Sequence, residues 1–74
     1  MVDFEESELP SVGRCYRFGT NEGERVQVVA HWTGERELLL GSREDPDAYR
    51  VVLRLSSDES RTLAELLTAT IPPG

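Results

Sequence analysis

Tyr49-Arg50-Val51-Val52-Leu53-Arg54-Leu55 runs directly into Ser56-Ser57-Asp58-Glu59, and the change of period at that junction decides the fold. In the first segment Tyr49, Val51, Leu53 and Leu55 alternate with Arg50, Val52 and Arg54. This is the two-residue repeat of a strand with one apolar face and one mostly cationic face. Beyond Ser56 the repeat lengthens: Leu63, Leu66 and Leu67 recur at helical spacing and Ile71 continues the stripe. Ser56 is a good N-cap, and Glu59 three residues on completes the capping-box pattern. Asp58 and Glu59 place negative charge in the first turn, where the helix dipole favours it. Burying the leucine stripe on a sheet is worth about 1.5–3 kcal/mol per side chain. Leu66→Ala or Leu67→Ala is therefore expected to cost about 2–5 kcal/mol. Ile71-Pro72-Pro73-Gly74 ends the helix and has linker character.

Working back from that junction, Arg14 to Phe18, Arg25 to His31 and Arg36 to Leu40 also read as strands. Val26, Val28 and Ala30 take one face of the second, with Gln27, Val29 and His31 on the other. Val29, and the Leu38-Leu39-Leu40 run of the third, put apolar groups on both faces, which hints at a second contact surface. The connections carry turn chemistry: Leu9-Pro10-Ser11-Val12-Gly13, Gly19-Thr20-Asn21-Glu22-Gly23, His31-Trp32-Thr33-Gly34-Glu35 and Asp45-Pro46-Asp47. The expected architecture is α+β, a small four-stranded antiparallel meander with one C-terminal helix packed on the sheet. Residues 1–8 are expected to form an acidic flexible arm, 9–70 a single domain, and 71–74 a Pro-rich linker or tail.

Composition narrows the function. A chain of 74 residues holds one small core and no second one. One cysteine excludes an internal disulfide, and one cysteine with one histidine excludes a zinc site built from those residues alone. No apolar run approaches the roughly 20 residues that cross a bilayer. The acidic start has the wrong sign for a secretory or transit signal, and an unpaired cysteine fits a reducing compartment. A cytoplasmic location is expected. Fourteen acids against eight bases give a net charge of -6, which argues against nucleic acid and against direct lipid binding. Asp3, Glu5, Glu6 and Glu8 carry much of that charge, so the body of the chain is nearly balanced.

Few residues suggest chemistry. His31, the only histidine, lies at a hairpin end; a catalytic role needs a nucleophile or carboxylate beside it in space, and a solvated or hydrogen-bonding role is the simpler reading. Cys15 follows Arg14, but neighbours in a strand point to opposite faces, so a structural thiol is the simpler reading. Glu44, Asp45 and Asp47 lack the spacing and terminal glutamate of a calcium loop and read as a solvated turn. Gly19 and Gly23 lead into a strand, without the lysine and helix of a phosphate-binding loop. No cofactor or metal is expected. Trp32 is different: no core demands it, and Trp, Tyr and Arg are common interface anchors. It either completes the small core by folding over the sheet edge or serves a partner. One helix cannot cover both faces of a sheet, so Trp32, Arg36, Leu38, Leu40 and Tyr49 are the candidate interface residues.

The ordered segments Glu8-Leu9-Pro10-Ser11-Val12-Gly13-Arg14, His31-Trp32-Thr33-Gly34-Glu35-Arg36-Glu37-Leu38, Glu44-Asp45-Pro46-Asp47 and Leu55-Ser56 with Glu59, Arg61, Thr62 and Leu63 resemble a known family. It is the N-terminal domain of the cytoplasmic regulatory subunits of potassium/proton antiporters (the cation:proton antiporter-2, KhtT-like type). The likeness covers Glu8 to Leu67. Cys15 replaces a residue that is commonly basic there, and Thr33 one that is commonly Asp. Subunits of this kind continue into a ligand-binding domain similar to that of potassium-channel conductance regulators. This chain is thus either the N-terminal part of such a subunit or a stand-alone relative. The resemblance implies a non-enzymatic regulatory module and brings no catalytic residues. Its partners would be a membrane antiporter subunit and a second copy of itself, and it would be peripheral to the membrane through protein contact. The other readings are a stand-alone binding module for another protein or small ligand, and a small enzyme using His31, Cys15 or a carboxylate pair.

Overall fold

The computed structural model describes residues 3–72. Its elements are β1 (Glu5–Leu9), β2 (Gly13–Gly19), β3 (Arg25–His31), β4 (Arg36–Gly41), β5 (Tyr49–Leu55) and α1 (Ser57–Thr68). The strands form one antiparallel sheet in the order β1-β2-β3-β4-β5. Each hairpin is closed locally. The Val12 N–H donates to the Leu9 carbonyl at 3.0 Å, the Thr20 N–H to Glu24 at 2.8 Å, and the Gly34 N–H to His31 at 2.9 Å.

The expected four-stranded meander is corrected to five strands, within an α+β architecture. The added strand, β1, comes from the acidic stretch expected to fray. Its carboxylates lie across from arginines: Glu5 opposes Arg17, Glu8 opposes Arg14, and Arg14 also pairs with Glu6. Opposite charges on facing strands stabilise pairing, where an isolated acidic run would repel itself. Met1 and Val2 of the expected arm, and Pro73 and Gly74 of the expected tail, lie outside the described residues.

A second correction concerns β5. Leu38 opposes Leu53, but Leu39 opposes Val51, so Val52 is the extra residue of a β-bulge. A bulge reverses the alternation on its far side. Leu53 and Leu55 therefore share a face with Arg50, whereas Tyr49 and Val51 share the other with Arg54. The uniformly apolar face read from the sequence does not exist; each face takes half of it.

The third correction is the helix. The capping box forms as expected: the Glu59 N–H donates to the Ser56 hydroxyl at 3.1 Å, and the Ser56 N–H to the Glu59 carboxylate at 2.8 Å. The helix does not bury its stripe, however. No α1 residue is buried; Leu63 is half-buried, and Leu66, Leu67 and Ile71 are 69%, 76% and 88% exposed. The reason lies in the joint. Only Ser56 separates β5 from α1, and it is itself extended, with φ -70° and ψ 171°. No turn sends the chain back over the sheet, and connections that do so commonly need about 2–6 residues.

Candidate interaction surface

The register sorts every strand residue onto one of two faces. The first carries Tyr16 and Phe18 of β2, Val26, Val28 and Ala30 of β3, Leu38 and Leu40 of β4, and Leu53 and Leu55 of β5. Phe4 joins this face, its ring 6.0 Å from that of Tyr16 and tilted by 57°. Phe4, Tyr16, Phe18 and Val28 line a shallow apolar hollow of about 360 Å³. None of these residues is buried. A contiguous apolar face of this kind is uncommon on a protein that works alone.

The second face is mixed and pinned: Val29, Leu39 and Val51 lie on it among polar pairs that tie the strands together. Arg17 donates to Gln27 at 2.8 Å. His31 pairs with Glu37, and Arg54 reaches the same carboxylate at 3.4 Å. The hydrogen bond from His31 lowers the Glu37 pKa from its ordinary 4.5, against the effect of burial, and the positive charges of His31 and Arg54 add to the lowering. Arg25 hydrogen-bonds the carbonyls of Ser42, Asp45 and Pro46 and lies over the Tyr49 ring at 5.1 Å. It thereby latches the β4–β5 loop to the sheet. The buried side chains, Cys15 and Val29, face each other here. They are small groups flanked by the Arg17–Gln27 and His31–Glu37 pairs.

The residues singled out in the sequence are therefore divided. Leu38 and Leu40 lie on the apolar face, and so does Arg36, which donates to the Gly34 and Glu35 carbonyls at 3.0 and 3.1 Å. Tyr49 lies on the polar face under Arg25 and Arg17. Trp32 lies on neither: it stands 60% exposed at the β3–β4 hairpin, and its backbone N–H donates to the Val12 carbonyl at 2.9 Å. Phe4, Tyr16, Phe18, Val26 and Val28 were not singled out as surface residues. Their shared parity across β2 and β3 was the available signal.

Asp45 accepts from the Asp47 N–H at 2.9 Å, and the Ser42 hydroxyl accepts from the Glu44 and Asp45 N–H groups, so this acidic loop caps its own turn. Among the described residues no cluster of His, Cys, Asp and Glu is arranged to hold a metal ion. Nor is any helix among them long and apolar enough to cross a membrane.

Comparison with known proteins decides the family. The model of the K(+)/H(+) antiporter subunit KhtT N-terminal domain matches residues 2–71. The chain belongs to the KhtT N-terminal domain family. It is similar to the ammonium/H(+) antiporter subunit AmhM of Alkalihalophilus pseudofirmus, 39% identical over 67 residues, which are 89% of this chain and 40% of that protein. It is also similar to the K(+)/H(+) antiporter subunit KhtT of Bacillus subtilis, 27% identical over 66 residues, again 89% of this chain and 40% of the relative. The KhtT-type domain described here thus spans about two fifths of the length of these relatives.

Proposed function

We propose that this KhtT-type domain is a non-catalytic regulatory module of a cation/proton antiporter, acting through protein contact alone. The observation that carries the reading is the uncovered sheet face of Tyr16, Phe18, Val28, Leu38 and Leu40 in a domain whose relatives are named antiporter subunits. The apolar face serves self-association. The exposed Trp32 hairpin is left to dock on the membrane subunit. The domain would then sit at the cytoplasmic side of the membrane, held there by its partner, because its charge of -6 disfavours anionic lipid. Regulation follows if docking favours one transporter state over the other, since a ligand shifts an equilibrium only by its differential affinity.

The test is binding of the complete protein to its membrane antiporter subunit in nanodiscs, with antiport measured in parallel. Trp32→Ala is expected to weaken binding by tenfold or more, a loss on the order of 1.4 kcal/mol, because a central aromatic anchor carries that much. Its thermal midpoint should not move, as the side chain leaves the fold's core untouched. Antiport that ignores the added protein, together with no measurable binding, sinks the reading.

A further inference from the structure

We propose that two copies of this chain exchange their C-terminal helices: the Leu66–Leu67 stripe of one α1 covers the Tyr16, Phe18, Val28 and Leu38 face of the other, and reciprocally. This names the occupant of the self-association face and rests on that part of the proposed function.

Surface area makes the first argument. A compact monomer of 8.3 kDa exposes about 4,600 Å². This chain exposes 6066 Å², about 1,500 Å² in excess. Removing that excess from two copies buries roughly 3,000 Å² in total, within the range of obligate homodimers. The radius of gyration agrees: it is 13.8 Å against about 11 Å for a compact chain of this length.

Geometry supplies the second argument. The molecule carries two apolar surfaces that fit one another, a sheet face and a helix stripe, and the one-residue joint at Ser56 keeps them apart within a protomer. Exchange between copies brings them together with no change at that joint. Reciprocal exchange is an isologous contact, which closes at two copies and builds no filament.

The remainder of a longer protein is the competing occupant, and site-directed cross-linking separates the two. The complete protein is made in two differently tagged versions, one with Leu66→Cys and one with Val28→Cys, mixed and treated with a short bismaleimide. Phe18→Cys is a second receiving position in case Val28→Cys folds poorly. Cys15 is 1% exposed and does not compete. The expected result is a covalent dimer carrying both tags, at least tenfold more abundant than when Arg61→Cys, off the leucine stripe, replaces Leu66→Cys. No mixed-tag dimer above that control from either receiving position overturns the proposal. So does a version with Leu66→Cys and Val28→Cys in one chain that closes on itself at high dilution, because the helix would then cover its own sheet. Binding to the membrane subunit is read separately, so loss of the cross-link with binding retained removes helix exchange and leaves the regulatory role standing.

Discussion

Gly13→Ala should unfold much of what the sheet holds together. Gly13 opposes His31 in the β2–β3 ladder. A Cβ at position 13 would stand 1.8 Å from the Ala30 carbonyl oxygen and 2.9 Å from the His31 Cα. Both are backbone atoms, so no side-chain rotation relieves the clash. Ordinary contact begins near 3.4 Å, so the two strands must part by about 1.6 Å at this point. That separation breaks the neighbouring hydrogen bonds, including Trp32 N–H to the Val12 carbonyl. Two such bonds are worth about 1–3 kcal/mol, and holding a non-glycine residue at a φ of +156° adds strain of about 1–3 kcal/mol. The total, about 2–6 kcal/mol, is a large share of the stability of so small a domain. At about 4–8 °C per kcal/mol the melting midpoint should fall by at least about 8 °C. Thermal unfolding followed by circular dichroism measures this. Gly19→Ala is the control, because its Cβ would meet nothing closer than 3.8 Å. A Gly13→Ala protein melting within about 2 °C of the parent would refute the register at β2–β3.

Leu66→Ala and Leu67→Ala should each cost less than about 1 kcal/mol in the separated protomer, because those side chains are 69% and 76% exposed there. Denaturant midpoints at high dilution test this, and a loss of about 2–5 kcal/mol would show a stripe already buried within one chain. Ser56→Ala removes the acceptor of the capping box and should destabilise α1 by about 1 kcal/mol, read as lost helical ellipticity. Glu37 contributes stability above the ordinary glutamate pKa of 4.5 and loses it as pH falls through its lowered value, because its charged form is the one His31 and Arg54 hold. The melting midpoint should therefore drop as pH falls below the ordinary 4.5 and through the lowered Glu37 value, and Glu37→Gln should flatten that drop; an unchanged slope contradicts the assignment.

Much of the fold was legible because turn chemistry and period carry local information. Arg25–His31 and Tyr49–Leu55 were read with the bounds they have, and the Ser56–Glu59 capping box marked the helix start. Three features were hidden for stated reasons. β1 pairs with β2 across glutamates that lie opposite Arg14 and Arg17, and no apolar alternation in residues 5–9 marks it as a strand. The bulge at Val52 leaves no mark in a clean alternation, yet it moves Arg50 onto the apolar face and Tyr49 off it. The helix pattern promised a buried stripe, but periodicity says which side is apolar and not which polypeptide covers it. The same limit split the surface residues: Leu38 and Leu40 could be read from a two-faced strand, whereas the period of Tyr16 and Phe18 in β2 does not say whether their face is covered.

The most direct measurement is an isotope-filtered NOE experiment on a mixture of two preparations of the complete protein, one with ¹³C-labelled leucine methyls and one unlabelled. The account predicts cross-peaks from the Leu66 and Leu67 methyls of labelled molecules to the Tyr16 and Phe18 rings of unlabelled ones. Cross-peaks confined to single molecules, or none from those methyls to any ring, would contradict it.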